Sequence, residues 1–153
     1  MDVQEHITRY LDSHGVSYRL VEHAPAGSAD EYHEVLETRY EQQAKALLLR
    51  VKRNRQKSFA VVTLQAQKRL EFERAARLLH AREVRLATDE QLLEVTGCRS
   101  GELPPFGKPF DTPLLFDSEL TNESEIYFNL GSLSLSMVLD PAQIVRLEDP
   151  LLI

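Results

Sequence analysis

Val3, Ile7, Tyr10 and Leu11 recur at helical spacing ahead of Gly15, which predicts an amphipathic helix over residues 2–14 closed by a glycine cap. The period then changes to two. Val16, Tyr18 and Leu20 alternate with Ser17, Arg19 and Val21 as in a half-buried strand. His23-Ala-Pro-Ala-Gly27 reads as a loop, and Ser28 with Glu31 has capping-box spacing for a helix through about Thr38. The runs Ala46-Leu-Leu-Leu-Arg-Val51 and Ser58-Phe-Ala-Val-Val-Thr-Leu64, joined by the polar turn Lys52–Lys57, predict a hairpin of two core strands.

Farther on, Phe72, Ala75, Ala76 and Leu79 form a helical stripe, and Glu83–Ala87 reads as a short strand. Thr88 with Gln91 gives a second capping box, for a helix ended by Gly97. From Gly97 to Pro113 the pattern disappears, and three of the six glycines and four of the seven prolines crowd into one long loop of a kind usually retained for function. Strands are expected at Leu114–Phe116, Ile126–Leu130 and Leu133–Leu139, before Asp140-Pro141 opens a last helix. This order predicts an α/β fold, a mixed and mainly antiparallel sheet flanked by helices, with all of residues 1–153 in a single domain.

Composition narrows the chemistry. A charge of −6 argues against a sequence-independent nucleic-acid coat. No window approaches the run of about 18 apolar residues that a membrane span needs, and the first residues resemble no signal peptide, so a cytoplasmic location is expected. The single cysteine, Cys98, excludes an internal disulfide and a redox cysteine pair. No GxGxxG or GxxxxGK phosphate loop is present, and the five histidines form no HxxxH or HExxH pair, so neither a nucleotide cofactor nor a metal is expected.

The stretch Thr96–Gly107 is the most informative, because glycines let backbone amides approach a ligand and prolines fix their direction, as an oxyanion hole requires. Composition alone leaves a rigid surface turn equally open. Gly101-Glu-Leu-Pro-Pro105, followed by Phe106-Gly107, resembles the GxxxP loop of the YbaK and prolyl-tRNA-synthetase editing-domain family. Ala44-Lys45-Ala46-Leu47-Leu48-Leu49 is similar to that family's strand opened by a lysine, Leu115-Phe-Asp117 to its strand ending in aspartate, and Glu22-His-Ala-Pro25 to its first loop.

The resemblance implies hydrolysis of the ester joining a wrong amino acid to a tRNA, without metal or cofactor, most simply tRNA(Pro) carrying a small residue such as alanine or cysteine. It implies catalytic roles for Lys45 and for the Gly101 amides, and substrate contacts from Gly97, Pro105, Phe106, Gly107 and Gly131; His23 lies in a loop expected near the pocket, where it contacts substrate or has a structural or solvent-facing role. The alanine-specific branch has asparagine after the lysine and a histidine in the penultimate strand, where this chain has Ala46 and Leu130-Gly131, so the rejected amino acid stays open. A non-catalytic tRNA- or synthetase-binding module and a hydrolase of another small acyl ester fit the same residues.

Arg50, Lys52, Arg53, Arg55 and Lys57 put five positive charges into eight residues, a patch that suits a tRNA backbone or is merely a solvated hairpin tip. Mischarged tRNA is the expected partner, with prolyl-tRNA synthetase as a second one supplying affinity. Cys98 has no recognisable acid or base beside it and reads as a small buried hydrophobe rather than a nucleophile.

Overall fold

The computed structural model describes residues 2–153. Helix α1 (Val3–Ser13) starts at an Asp2 cap, whose side chain accepts from the Glu5 amide, and turns Ile7 and Leu11 into the core. Then follow β1 (Arg19–Glu22), α2 (Ala29–Leu36), β2 (Ala44–Arg53), β3 (Gln56–Gln65), α3 (Phe72–Leu78), β4 (Glu83–Leu86) and α4 (Asp89–Thr96). The long loop leads to β5 (Leu114–Phe116), β6 (Ile126–Asn129), β7 (Leu135–Leu139), α5 (Pro141–Glu148) and β8 (Leu151–Leu152).

Ser28 caps α2 as expected, but Glu31 turns its carboxylate to the Gly27 amide, and the helix stops at Glu37 in the left-handed region, φ 56°. The Thr88–Gln91 capping box is complete in both directions.

The strands form two sheets, one ordered β1-β7-β6 and the other β4-β2-β3-β5-β8. Pairing is antiparallel except for β3 with β5 and β5 with β8, so the expected mixed, mainly antiparallel α/β fold holds. Its division into two sheets, and the short terminal strand β8, have no counterpart in the sequence pattern. The sheets meet where Gln43 bridges Tyr127 in parallel.

Both faces of the larger sheet are buried, which is why Phe59–Leu64 is apolar at every position but Thr63. Leu48, Val61, Leu114 and Phe116 pack on one face against Ile7 and Leu11 of α1, Phe128 and Met137 of the smaller sheet, and Ile144 of α5. Their neighbours Leu49, Val62 and Leu115 point the other way, onto Ala75 of α3 and Leu79.

The second half of the long loop is anchored in this core. Glu148, buried at the end of α5, accepts from the Tyr10 hydroxyl at 2.7 Å and from the amides of Gly107 and Lys108 at 3.0 and 3.1 Å. Phe106 is fully buried between Tyr10 and Phe128, edge-on to both rings. A Cβ on Gly107 would lie 2.4 Å from the Thr112 carbonyl oxygen. Gly107→Ala is therefore expected to lose about 1–3 kcal/mol of stability by overpacking, read as a lower denaturant midpoint at unchanged slope.

Candidate active site

A pocket of about 300 Å³ opens where the two sheets meet. Three segments wall it: the loop entering α2 (Ala26–Ala29) with Tyr32, the start of β2 (Gln43–Leu47), and Ser100, Gly101 and Leu103 of the glycine loop. Ala66 and, from β6, Tyr127 and Asn129 complete it. The opening follows from strand length. β4 pairs only with Leu49–Lys52 of β2, so the edge from Ala44 to Leu47 carries no β4 partner, and the small Ala44 and Ala46 leave room there.

Lys45 and Gly101, 56 positions apart in sequence, line the same cavity. Lys45 is half-buried, and its ammonium donates to the Lys68 carbonyl at 2.5 Å. Burial, and then the like charge of Arg69, hold its pKa below the ordinary lysine range. Among the described residues no carboxylate forms an ion pair with it. The turn that presents the Lys68 carbonyl is fixed by Asp117, 2% exposed, which accepts from the Gln65 amide, the Glu119 amide and the Lys68 ammonium at 2.9–3.0 Å.

Gly101 has φ +85°, a conformation that any side chain strains, and its missing Cβ would sit 3.0 Å from Leu133. Within the loop the Glu102 amide closes a turn on Arg99, and the Arg99 amide is taken by the Glu102 carboxylate. The amides of Ser100, Gly101 and Leu103 donate to no acceptor among the described residues, so three backbone donors at the pocket wall are uncommitted.

Other expected contacts lie elsewhere. Pro105, Phe106 and Gly107 are buried, the last two anchored as described, and none lines the pocket. Gly97 and Gly131 cap α4 and the β6–β7 turn with φ +77° and +69°, and both face Val3 across a separate hollow beside α1. Their role is to let the chain turn against that helix. His23 stands behind the pocket wall, its ring edge-on to Tyr32 and its Nε2 2.7 Å from the Ser136 hydroxyl.

The basic patch is at the opposite end of the hairpin. Arg53 follows Lys45 by eight strand residues, ~26 Å at the usual rise. Its guanidinium donates twice to the Leu79 carbonyl beyond α3, and Arg50 pairs with Glu83 at 3.4 Å. Lys52, Arg55 and Lys57 are exposed and have no ion pair among the described residues.

The sequence pattern missed the polar side chains of the pocket. Buried Gln43 donates to the Ala29 carbonyl and the Thr38 hydroxyl, and its Oε1 has no partner among the described residues. Tyr32 donates to Ser136, and burial raises its phenol above the ordinary range, keeping it a neutral donor. The only local signal was a polar residue next to a core residue in an apolar strand, Asn129 after Phe128 and Ser136 before Met137, on the opposite face of the strand.

The sequence profile of the aminoacyl-tRNA editing domain matches residues 23–147. This chain belongs to the aminoacyl-tRNA editing domain family. Its relatives include the multifunctional Ser/Thr-tRNA deacylase ProXp-y of Escherichia coli strain K12, 31% identical over 148 residues that cover 94% of this chain and 86% of the relative. The O157:H7 strain has a ProXp-y at the same identity and coverage.

Among solved structures, a candidate trans-editing enzyme for prolyl-tRNA synthetase superposes at TM-score 0.83, with 22% identity over 100% of this chain and 96% of the other. The hypothetical protein APE2540 does so at 0.85, with 22% identity over 96% of each chain, and at these identities the likeness shows the fold. As a family member the chain is an editing hydrolase, and the pocket of the editing domain holds both Lys45 and the glycine loop. No helix among the described residues is long and apolar enough to cross a membrane.

Cys98 of this editing domain is fully buried, and burial pushes its thiol up to about 11. A thiolate is thus scarce at neutral pH and forms only as pH rises toward that value. Native protein is expected to resist iodoacetamide at pH 8, and Cys98→Ala to keep most of its deacylation; a hundredfold loss with the fold intact would make the thiol a participant.

Proposed function

We propose that this chain is a single editing domain acting in trans in the cytosol, hydrolysing the ester between a small, wrongly attached amino acid and the 3′ end of a tRNA. The observation that carries the reading is the meeting, in one small pocket, of a lysine without an ion pair and a loop with three uncommitted amides, both among the described residues. Negative charge develops on the ester carbonyl oxygen as water attacks. Preorganised donors aimed there act mainly on the transition state, each worth roughly 2.7–4 kcal/mol. The amides of Ser100, Gly101 and Leu103 serve as those donors. Lys45 spends one of its three N–H bonds on Lys68 and keeps two for the terminal phosphate or ribose. The ester is already activated, so water, helped by the ribose hydroxyl, suffices as nucleophile.

For the amino acid, the volume of the pocket favours a small side chain, which admits alanine, cysteine, serine and threonine. The ProXp-y relative is named for Ser/Thr-tRNA, and the Oε1 of buried Gln43, an acceptor without a partner among the described residues, suits a hydroxyl better than a methyl group. Serine and threonine esters therefore head the expected substrates, with tRNA(Pro) charged with alanine or cysteine next. Prolyl-tRNA synthetase is the proposed protein partner, in keeping with the solved relative described as editing for it.

Single-turnover deacylation of tRNAs charged with alanine, cysteine, serine or threonine tests the reading. Measurable tRNA binding with no hydrolysis of any of them would instead mark a binding module. Lys45→Ala is expected to slow the best substrate by one to three orders of magnitude, about 1.4–4 kcal/mol, with little change in melting temperature. Gly101→Ala is expected to lose activity through backbone strain and contact with Leu133.

Joint replacement of Lys52, Arg55 and Lys57 is expected to raise KM and reduce the salt dependence of binding while sparing kcat. The hairpin tip is too far from the ester to act on anything but the tRNA backbone. An unaltered salt slope would leave the tip merely solvated.

A further inference from the structure

The two loops that wall the pocket share no direct hydrogen bond among the described residues, yet one side chain grips both. Asn129, 8% exposed at the end of β6, donates from Nδ2 to the Ala26 carbonyl at 2.9 Å and to the Gly101 carbonyl at 3.1 Å. These are the only two hydrogens a primary amide has. Its Oδ1 accepts from the Ser136 hydroxyl at 3.1 Å, which fixes the amide the right way round. Ser136 is itself held, fully buried, by the Tyr32 hydroxyl at 2.5 Å and the His23 ring at 2.7 Å.

We infer that Asn129 is a positioning residue of the deacylation, the clamp that sets the distance between the two pocket walls and the orientation of the Gly101 peptide. The assignment rests on the deacylase reading above for its kinetic consequence, and on geometry alone for its structural one. With the Gly101 carbonyl turned onto Asn129, the peptide plane that follows it is fixed, and the adjacent uncommitted amides are held in place before substrate arrives. Preorganisation of this kind acts on the transition state, so its loss lowers kcat more than it raises KM. Aspartate is nearly the same shape but, ionised, presents only acceptors to two carbonyl oxygens; protonated, it regains one donor.

Asn129→Ala is expected to lower kcat by ten- to a hundredfold with KM within threefold. It is also expected to speed hydrogen exchange at least tenfold at the Glu102 and Ala26 amides, which are bonded to Arg99 and Leu133 in the intact protein. Asn129→Asp is expected to be no better than the alanine variant at neutral pH and to recover relative to the original protein as pH falls. A residue that merely filled space would give neither the pH-dependent recovery nor the split between kcat and KM.

A folded Asn129→Ala protein with unchanged kcat and unchanged exchange overturns the proposal, as does a loss confined to KM. Should Asn129→Ala not fold, Ser136→Ala, which releases the orienting contact on Oδ1, is expected to give a smaller loss of the same kind, and unchanged kcat and exchange in it overturn the clamp. If the original protein deacylates nothing in the panel, the functional reading fails while the exchange measurement still decides the clamp.

Discussion

Ten residues of β2 pair with ten of β3, from Ala44 opposite Gln65 to Arg53 opposite Gln56, without a bulge. Because this ladder is buried on both faces, its register cannot slip by one residue without exchanging Leu48 and Val61 for Leu49 and Val62 between two separate cores. Everything functional is measured from it. One end holds Lys45 and the turn that carries Lys68; the other holds the basic tip. β4 covers only the far half of the β2 edge, and β6 of the second sheet approaches the near end, so a gap between two sheets becomes a pocket.

The glycine loop divides its work at Leu103. Before it, Ser100 and Gly101 line the pocket with amides that have no acceptor among the described residues; after it, Phe106 and Gly107 are locked to the core by aromatic packing and by Glu148. A loop of this length could not hold its amides in place if both halves were free, because the entropy of ordering it would oppose the arrangement. Asn129 on one side and Glu148 on the other convert a flexible segment into a fixed wall. The charges follow the same economy. Asp117 is neutralised by Lys68 and two amides, whereas Lys45 and Arg69 repel one another near the pocket with no carboxylate paired to either among the described residues. On a chain of charge −6, that corner is a small local excess of positive charge.

Helical and strand periods, the Ser28 and Thr88 caps, and the largely apolar run of β3 are local signals, set by neighbours within a few residues, and they determined the elements and the class of fold. Family-like segments around Lys45, Gly101 and Asp117 were legible for the same reason, each being a short contiguous stretch. What only the tertiary structure decided is long-range. The Asn129 amide meets a carbonyl 103 positions away and another 28 away, and Tyr32 meets Ser136 across 104. Gly97 and Gly131 look like loop glycines of a site and turn out to fit against Val3, and Arg53 looks like a free cation until the Leu79 carbonyl is brought to it. A polar residue in an apolar strand announces that it needs a partner, but which partner depends on the packing of two sheets, a property that no local stretch of the chain contains.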